Sequence, residues 1–170
     1  VKQLQSVADS YNLKIIYDAA HAFGVEYKGE PVVCFGDVST LSFHATKVFN
    51  TIEGGAVVAS DDEVVEKLKL MRNHGIKSES EVVLPGINAK MNEFQAAMGL
   101  CNLVFVDELI ALRKTLYERY VERLSGLPIQ FQKIIASKYN FSYMPVLFET
   151  AKERDSVCSL LIEKNIKSRK

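Results

Sequence analysis

The 170-residue sequence has no surplus of either charge: 21 basic and 21 acidic side chains balance to a formal net charge of zero. That excludes the global electrostatic footprint by which proteins collect on nucleic acid or on anionic membranes, so neither is expected as a partner. No apolar run approaches the ~18 residues of a membrane-spanning helix, and no charged leader with an apolar core is present. Cysteine is scarce. Cys34, Cys101 and Cys158 are odd in number, far apart and set among apolar neighbours, which argues against a disulfide framework and for reduced core thiols in a cytoplasmic protein. Neither GxGxxG nor a P-loop pattern occurs, so an ordinary nucleotide-binding α/β domain would lack its phosphate cradle. There is no internal repeat or low-complexity tract, and no metal site is expected.

What is present is ordinary globular material, 48% hydrophobic and 25% charged. A chain of this length can bury about 70% of its unfolded surface around one substantial core. Val1, Leu4, Val7, Ala8 and Tyr11 fall at helical spacing from the first residue. "KNIKSRK" comes after a helix at the other end with no closing element. The sequence therefore reads as an internal piece of a longer polypeptide.

Turn and cap signals divide the chain. Asn12 is a C-terminal cap candidate, and "LKIIYDAAH" reads as a short buried strand and a turn. "VEYKGEPV" reads as a hairpin turning at Gly29, and "DVSTLSFH" and "GGAVVAS" as strands inside a sheet. Asp61 caps a helix with Val64, Val65, Leu68 and Met71 on one face, closing near Gly75. Asn92 and Gln95 form a capping box ahead of one long helix. Its stripe, Phe94, Met98, Cys101, Phe105, Leu109, Leu112, Leu116 and Tyr120, predicts a face buried for many turns. After Gly126 and Pro128 come a strand over "FSYMPVLFE" and a helix opened by Thr150 and Glu153, with Val157, Leu160, Leu161 and Lys164 along it. Strands alternating with helices imply α/β layering. The change of character near Gly126 places a larger domain at 1–125 and the beginning of a smaller α+β domain at 126–170.

Two residues stand in odd company. Asp18 ends the apolar strand "LKIIYD", where ligands of α/β sheets collect. A buried carboxylate is costly without a charged or hydrogen-bonding partner; alone, Asp18 reads as a turn cap. Lys47 follows the strand "LSFHAT" and precedes "VFNTIEGG" rather than a solvated segment. Desolvation lowers an ammonium pKa and frees the amine as a nucleophile toward a carbonyl; alone, Lys47 reads as a packed stem with its head in solvent. Together they meet the needs of pyridoxal 5'-phosphate: a lysine to bind the aldehyde, and a carboxylate to keep the ring nitrogen protonated.

"IYDAAHAFG" and "GDVSTLSFHATKVFNTIEGGAVV", followed by "MRNHG" and "GINAKMNEFQAAMGL", resemble the motifs of the DegT/StrS-type sugar aminotransferases, from about Leu13 to about Leu124. The resemblance implies the aspartate aminotransferase fold, with residues 1–125 as the second half of the cofactor-binding large domain, a mixed sheet with flanking helices. It also implies that Lys47 is the Schiff-base lysine and Asp18 the partner of the pyridine nitrogen. By the same resemblance His21 lies near the cofactor ring, Ser42 donates to its phosphate, and Asn88 reaches the partner subunit's phosphate across a dimer interface. A turn histidine and a strand serine are the plain readings of His21 and Ser42. Gly54 and Gly55 would let backbone approach the site or simply enter a strand. His44 matches the family pattern without a derivable role, and His74 suits a helix C-terminus.

The implied activity moves an amino group from an amino acid, glutamate by family analogy, to a keto group of a nucleotide-linked deoxysugar, in a cytoplasmic homodimer. The competing reading is a non-catalytic relative, a dimeric module that binds a sugar nucleotide or a regulatory partner. Retention of both Asp18 and Lys47 weighs against it. The resemblance also implies that a phosphate-cradling glycine with its small hydroxyl residue, and a ring-stacking aromatic, lie in chain beyond these residues.

Overall fold

Most helix and hairpin ends are fixed by local chemistry visible in the sequence. The computed structural model describes all of residues 1–170. Helix α1 (Lys2–Ser10) ends with Asn12 at φ 50°, and the Leu13 amide returns to the Ala8 carbonyl at 2.8 Å, a left-handed close that asparagine tolerates. Strand β1 (Ile16–Asp18) comes next. β2 (Glu26–Tyr27) and β3 (Glu30–Pro31) form a two-residue hairpin with Lys28 at φ 55° and Gly29 at φ 84°. Two positive φ values at the turn match the right-handed strand twist. A 3-10 turn (Val32–Cys34) leads to β4 (Val38–Ser42) and β5 (Gly55–Ala59).

The principal sheet has the order β1-β4-β5, with β1 and β4 parallel and β4 and β5 antiparallel. Asp18 pairs in register with Thr40, so the carboxyl ends of β1 and β4 open on the same edge of the sheet. Gly55 is required at the return. A Cβ there would come within 2.6 Å of the Leu41 carbonyl oxygen, so strand entry accounts for this glycine.

Helix α2 (Asp62–Met71) is capped by Asp61, whose carboxylate accepts the amides of Glu63 and Val64. β6 (Ile76–Ser78) and β7 (Glu81–Val82) form a small hairpin beyond it. Helix α3 (Glu93–Leu103) opens with the reciprocal Asn92–Gln95 capping box. The single long helix expected from the stripe is two helices: α4 (Val106–Arg123) departs at 61° from α3. The Phe105 amide bonds to the Asn102 carbonyl, closing a tighter turn than the helical one, while the Asn102 side chain donates to the Asn50 carbonyl at 2.9 Å. β8 (Ile129–Phe131) pairs with β9 (Val146–Phe148), and α5 (Ala151–Glu163) starts at the Thr150–Glu153 capping box. The expected strand over "FSYMPVLFE" is confined to β9; residues 141–145 are irregular. No single helix is long and apolar enough to cross a membrane.

The core is smaller than the composition predicts. Only 12 residues are buried, and the central cluster is Val48, Phe49, Val106 and Ile110, with Phe23, Phe43 and Phe141 packed against it. The aromatic contacts are close: Phe23 stacks on Phe49 at 4.4 Å, and Phe43 meets Phe49 edge-on at 4.9 Å. Several predicted inward faces point outward. Leu4, Val7 and Tyr11 of α1 are exposed, and only Ala8 is buried there. In α2, Val64, Val65 and Leu68 are half-buried but Met71 is exposed. The whole stripe from Phe94 to Tyr120 is exposed, because α3 and α4 turn Asn102, Val106, Ile110, Arg113 and Tyr117 inward instead. In α5 the inward residue is Cys158, while Val157 and Leu160 face out. Of the three cysteines expected in the core, Cys34 and Cys101 are exposed and Cys158 is buried.

Candidate active site

Lys47 is anchored by its two neighbours on the C-terminal side. Val48 and Phe49 are buried in the central cluster and fix the backbone of the turn, while the Lys47 amide donates to the His44 carbonyl at 2.9 Å. The loop then folds back under α3. Thr51 is buried, its amide bonds to the Phe43 carbonyl, and its methyl group would lie 2.9 Å from any Cβ placed on Gly99. Gly99 and Asn102 thus let α3 lie close against the lysine-bearing loop, a role periodicity does not disclose. His44 stays beside the turn: its Nδ1 accepts the Thr46 amide at 3.2 Å, and its Nε2 faces Glu53 at 3.6 Å.

The half-buried Lys47 extends toward the turn after β1. Its Nζ lies 3.2 Å from Nδ1 and 3.4 Å from Nε2 of His21. An ammonium there donates to an unprotonated ring nitrogen, whereas a free amine can accept from the ring N–H. The contact therefore brings an imidazole within hydrogen-bonding distance of the Lys47 side-chain nitrogen.

Asp18 stands at the carboxyl end of β1, and its Oδ1 accepts the Ala20 amide at 3.0 Å. The expected burial does not hold within this chain, since Asp18 is exposed. β1 is a three-residue edge strand, and its last side chain projects beyond the sheet. The carboxylate opens on a cleft of about 350 Å³ lined by Asp18, His21, Gln132, Tyr139, Ser142 and Tyr143, among others. Burial raises the Tyr139 phenol above its ordinary pKa, with the phenol of Tyr117 adding to the effect, so this wall presents a neutral hydroxyl.

Ser42 ends β4, and its hydroxyl accepts the His44 amide at 3.4 Å. The structure thus brings Asp18 and His21 to one cleft, joins His21 to Lys47, and leaves Ser42 at the end of the neighbouring parallel strand. Asn88 is not brought there. It is exposed and pairs with Asn73 in a loop whose amides at Ile87 and Ala89 bond to the carbonyls of Met71 and Arg72. Gln132, Tyr139, Asn140, Ser142 and Tyr143 were not foreseen as site residues. A buried-type pattern interrupted by asparagine and serine, "YNFSY", was the available signal.

The donor set suits pyridoxal phosphate: a primary amine for an aldehyde, a carboxylate at a strand end for a pyridinium, and a serine hydroxyl for a phosphate oxygen. Comparison with known proteins points the same way. The DegT/DnrJ/EryC1/StrS aminotransferase family matches residues 1–170. A dTDP-4-amino-4,6-dideoxy-D-glucose transaminase of Shigella dysenteriae is 41% identical over 175 residues, covering 98% of this chain and 47% of that protein. The Escherichia coli protein of the same description is 38% identical, covering 100% and 47%. Among solved structures, DesI in the presence of its TDP-sugar product superposes with a TM-score of 0.88 at 34% identity, covering 99% of this chain and 44% of that one. Helicobacter pylori PseC, described as an aminotransferase involved in the biosynthesis of pseudoaminic acid, gives 0.87 at 31%, covering 96% and 46%. The chain spans about half the length of these relatives. It has their α/β architecture, and it belongs to the DegT/DnrJ/EryC1/StrS aminotransferase family.

Proposed function

We propose that the full-length protein is a pyridoxal-phosphate-dependent aminotransferase that transfers an amino group, glutamate being the donor, to a keto group of a nucleotide-linked deoxysugar. The observation that carries this reading is the 3.2 Å contact between Lys47 Nζ and the ring of His21, a residue that lines one cleft together with Asp18. Pyridoxal phosphate supplies, when bound, an electron sink for the carbanion that amino transfer creates. Lys47 Nζ would hold the cofactor through its aldehyde and, as a free amine, would carry a proton between the substrate carbon that bears the nitrogen and the cofactor. Asp18 would keep the ring nitrogen protonated, His21 would lie near the ring and its phenolic oxygen, and Ser42 would donate to the phosphate. Asn88, exposed here, serves the site of a second copy in a cytoplasmic homodimer. Residues 1–125 belong to the large domain and 126–170 open the small one.

An absorbance spectrum of the purified full-length protein with pyridoxal phosphate, before and after glutamate, tests the reading. The expected result is a visible band of covalently attached cofactor that glutamate converts to the amine form, and that Lys47→Ala cannot produce. Turnover of Lys47→Ala should be abolished, since a positioned acid-base group alone is worth about two to four powers of ten. Retained amino transfer in that variant would remove Lys47 from the reaction. Absence of the band in the intact protein would leave the non-catalytic binding module as the better account.

A further inference from the structure

Asn140 is 1% exposed although it lies in an irregular segment, and every hydrogen-bonding capacity of its amide is used. Nδ2 donates to the carbonyls of His21 at 2.8 Å and Phe23 at 2.9 Å. Oδ1 accepts the Ser142 hydroxyl at 2.8 Å and the Ser142 amide at 3.2 Å. Two donors and two lone pairs are thereby satisfied. The orientation is fixed by its partners, because the flipped amide would turn its oxygen toward two carbonyl oxygens. The Ser142 hydroxyl also reaches the His21 carbonyl at 3.3 Å.

The neighbours of Asn140 reinforce the clamp. Phe141, at φ 51°, turns into the central cluster against Tyr117 and Tyr139. Tyr143 meets the His21 ring edge-on at 4.9 Å. Further back, the Glu26 amide bonds to the Lys138 carbonyl at 2.9 Å, and the Ser137 hydroxyl accepts the Gly29 amide at 2.9 Å. A segment more than 100 residues away in sequence therefore grips the turn that carries His21, through backbone atoms and through the ring itself.

We infer that Asn140 is a positioning residue: by fixing the carbonyls of His21 and Phe23 it holds the turn after β1 so that the His21 imidazole meets Lys47 Nζ. Its consequence for turnover rests on the aminotransferase reading, whereas the positioning itself does not. The turn is short and connects an edge strand to the hairpin. Its own hydrogen bonds, the Ala20 amide to Asp18, the Ala22 amide to the Ala19 carbonyl and the Val25 amide to the Ala22 carbonyl, shape it locally, whereas those from Asn140 tie the His21 and Phe23 carbonyls to a segment from elsewhere in the fold.

The test uses full-length protein labelled with 15N in its histidine rings, first without cofactor. The His21 signals are assigned by their loss in His21→Gln. In the parent protein Lys47→Ala should displace them, which reads the contact directly. In Asn140→Asp, which keeps the shape but removes both donated hydrogen bonds, the His21 signals should move and should no longer respond to Lys47→Ala. With cofactor, kcat of Asn140→Asp should fall by up to ~100-fold, the loss expected for displacing a reacting group by about 1 Å, with a smaller change in KM for glutamate. If Asn140→Asp does not fold, Ser142→Ala decides by the same signals: displaced His21 resonances support the clamp and unmoved ones overturn it. Signals in Asn140→Asp that match the parent protein, still responding to Lys47→Ala, would also overturn it. A protein that forms no cofactor band yet shows the displacement would lose the aminotransferase reading and keep the clamp. One that turns over with His21 indifferent to Asn140→Asp would do the reverse.

Discussion

Helix α4 carries two apolar stripes, and this chain buries only one of them. Val106 and Ile110 are 7% and 8% exposed and pack with Val48 and Phe49 directly beneath the lysine-bearing loop. Leu109, Leu112, Leu116 and Tyr120 run along a neighbouring face and are between 40% and 57% exposed; Phe94, where the stripe begins on α3, reaches 87%. The more regular stripe in the sequence is thus the open one. Periodicity shows that a face is apolar, not what covers it, and a contiguous exposed stripe of this length is a surface that other protein normally covers. The buried stripe supports the site, while the open one is left uncovered by these 170 residues.

Three changes would break or sharpen that contrast. The largest effect is expected on the buried side. Phe49→Ala removes the ring that stacks on Phe23 and meets Phe43 edge-on and should cost the full-length protein about 3–5 kcal/mol, measured by denaturant unfolding; a loss near zero would mean that the cluster is not the site's foundation. On the open side, Leu112→Asp puts a charge into the exposed stripe. A true surface substitution stays within about ±0.5 kcal/mol. A larger loss is expected in the full-length protein, and its dependence on protein concentration would show whether a second subunit supplies the cover. A change inside the surface range would mean that the face is open after all.

The smallest effect lies away from both stripes, at the entry to β1. The Lys14 ammonium and the Ile15 amide each donate to the Asp37 carboxylate at 2.8 Å, and these bonds, led by that of Lys14, hold the Asp37 carboxyl below its ordinary pKa. A carboxyl depressed in the folded state stabilises above its unfolded pKa, near about 4, and that contribution fades as pH falls through the folded value. Stability profiles of parent and Asp37→Asn proteins should therefore be separated at neutral pH and converge below about pH 4. A separation that persists in strong acid would assign the effect to packing rather than to the charge.

Local signals were legible where the chemistry is local. The caps at Asn12, Asp61, Asn92 and Thr150 and the Lys28–Gly29 turn each involve residues within a few positions of one another, and the structure forms all of them. The bend between α3 and α4 was not legible, because no proline or glycine marks it. It depends on Asn102 reaching Asn50, a contact between residues far apart in sequence. The rotation of α5 about its axis, with Cys158 rather than Val157 and Leu160 inward, was hidden because its apolar residues fit more than one face. The exposure of Asp18 was likewise unreadable: an apolar run before a carboxylate looks buried whether its strand is central or, as here, at an edge.

The sequence by itself determined that a carboxylate, Asp18, closes one strand and an amine, Lys47, follows another, in an order of motifs that identifies the family. Such information is carried by residue type and spacing alone. β4 ends at Ser42, so the lysine stands in the turn beyond it rather than at the strand end. Only the tertiary structure decided that His21 is the group meeting Lys47, that Asn140 and Ser142 hold the His21 turn, and that the tidiest apolar stripe faces outward. Those facts depend on pairs of residues as much as 121 positions apart, and only packing of the folded chain brings them together.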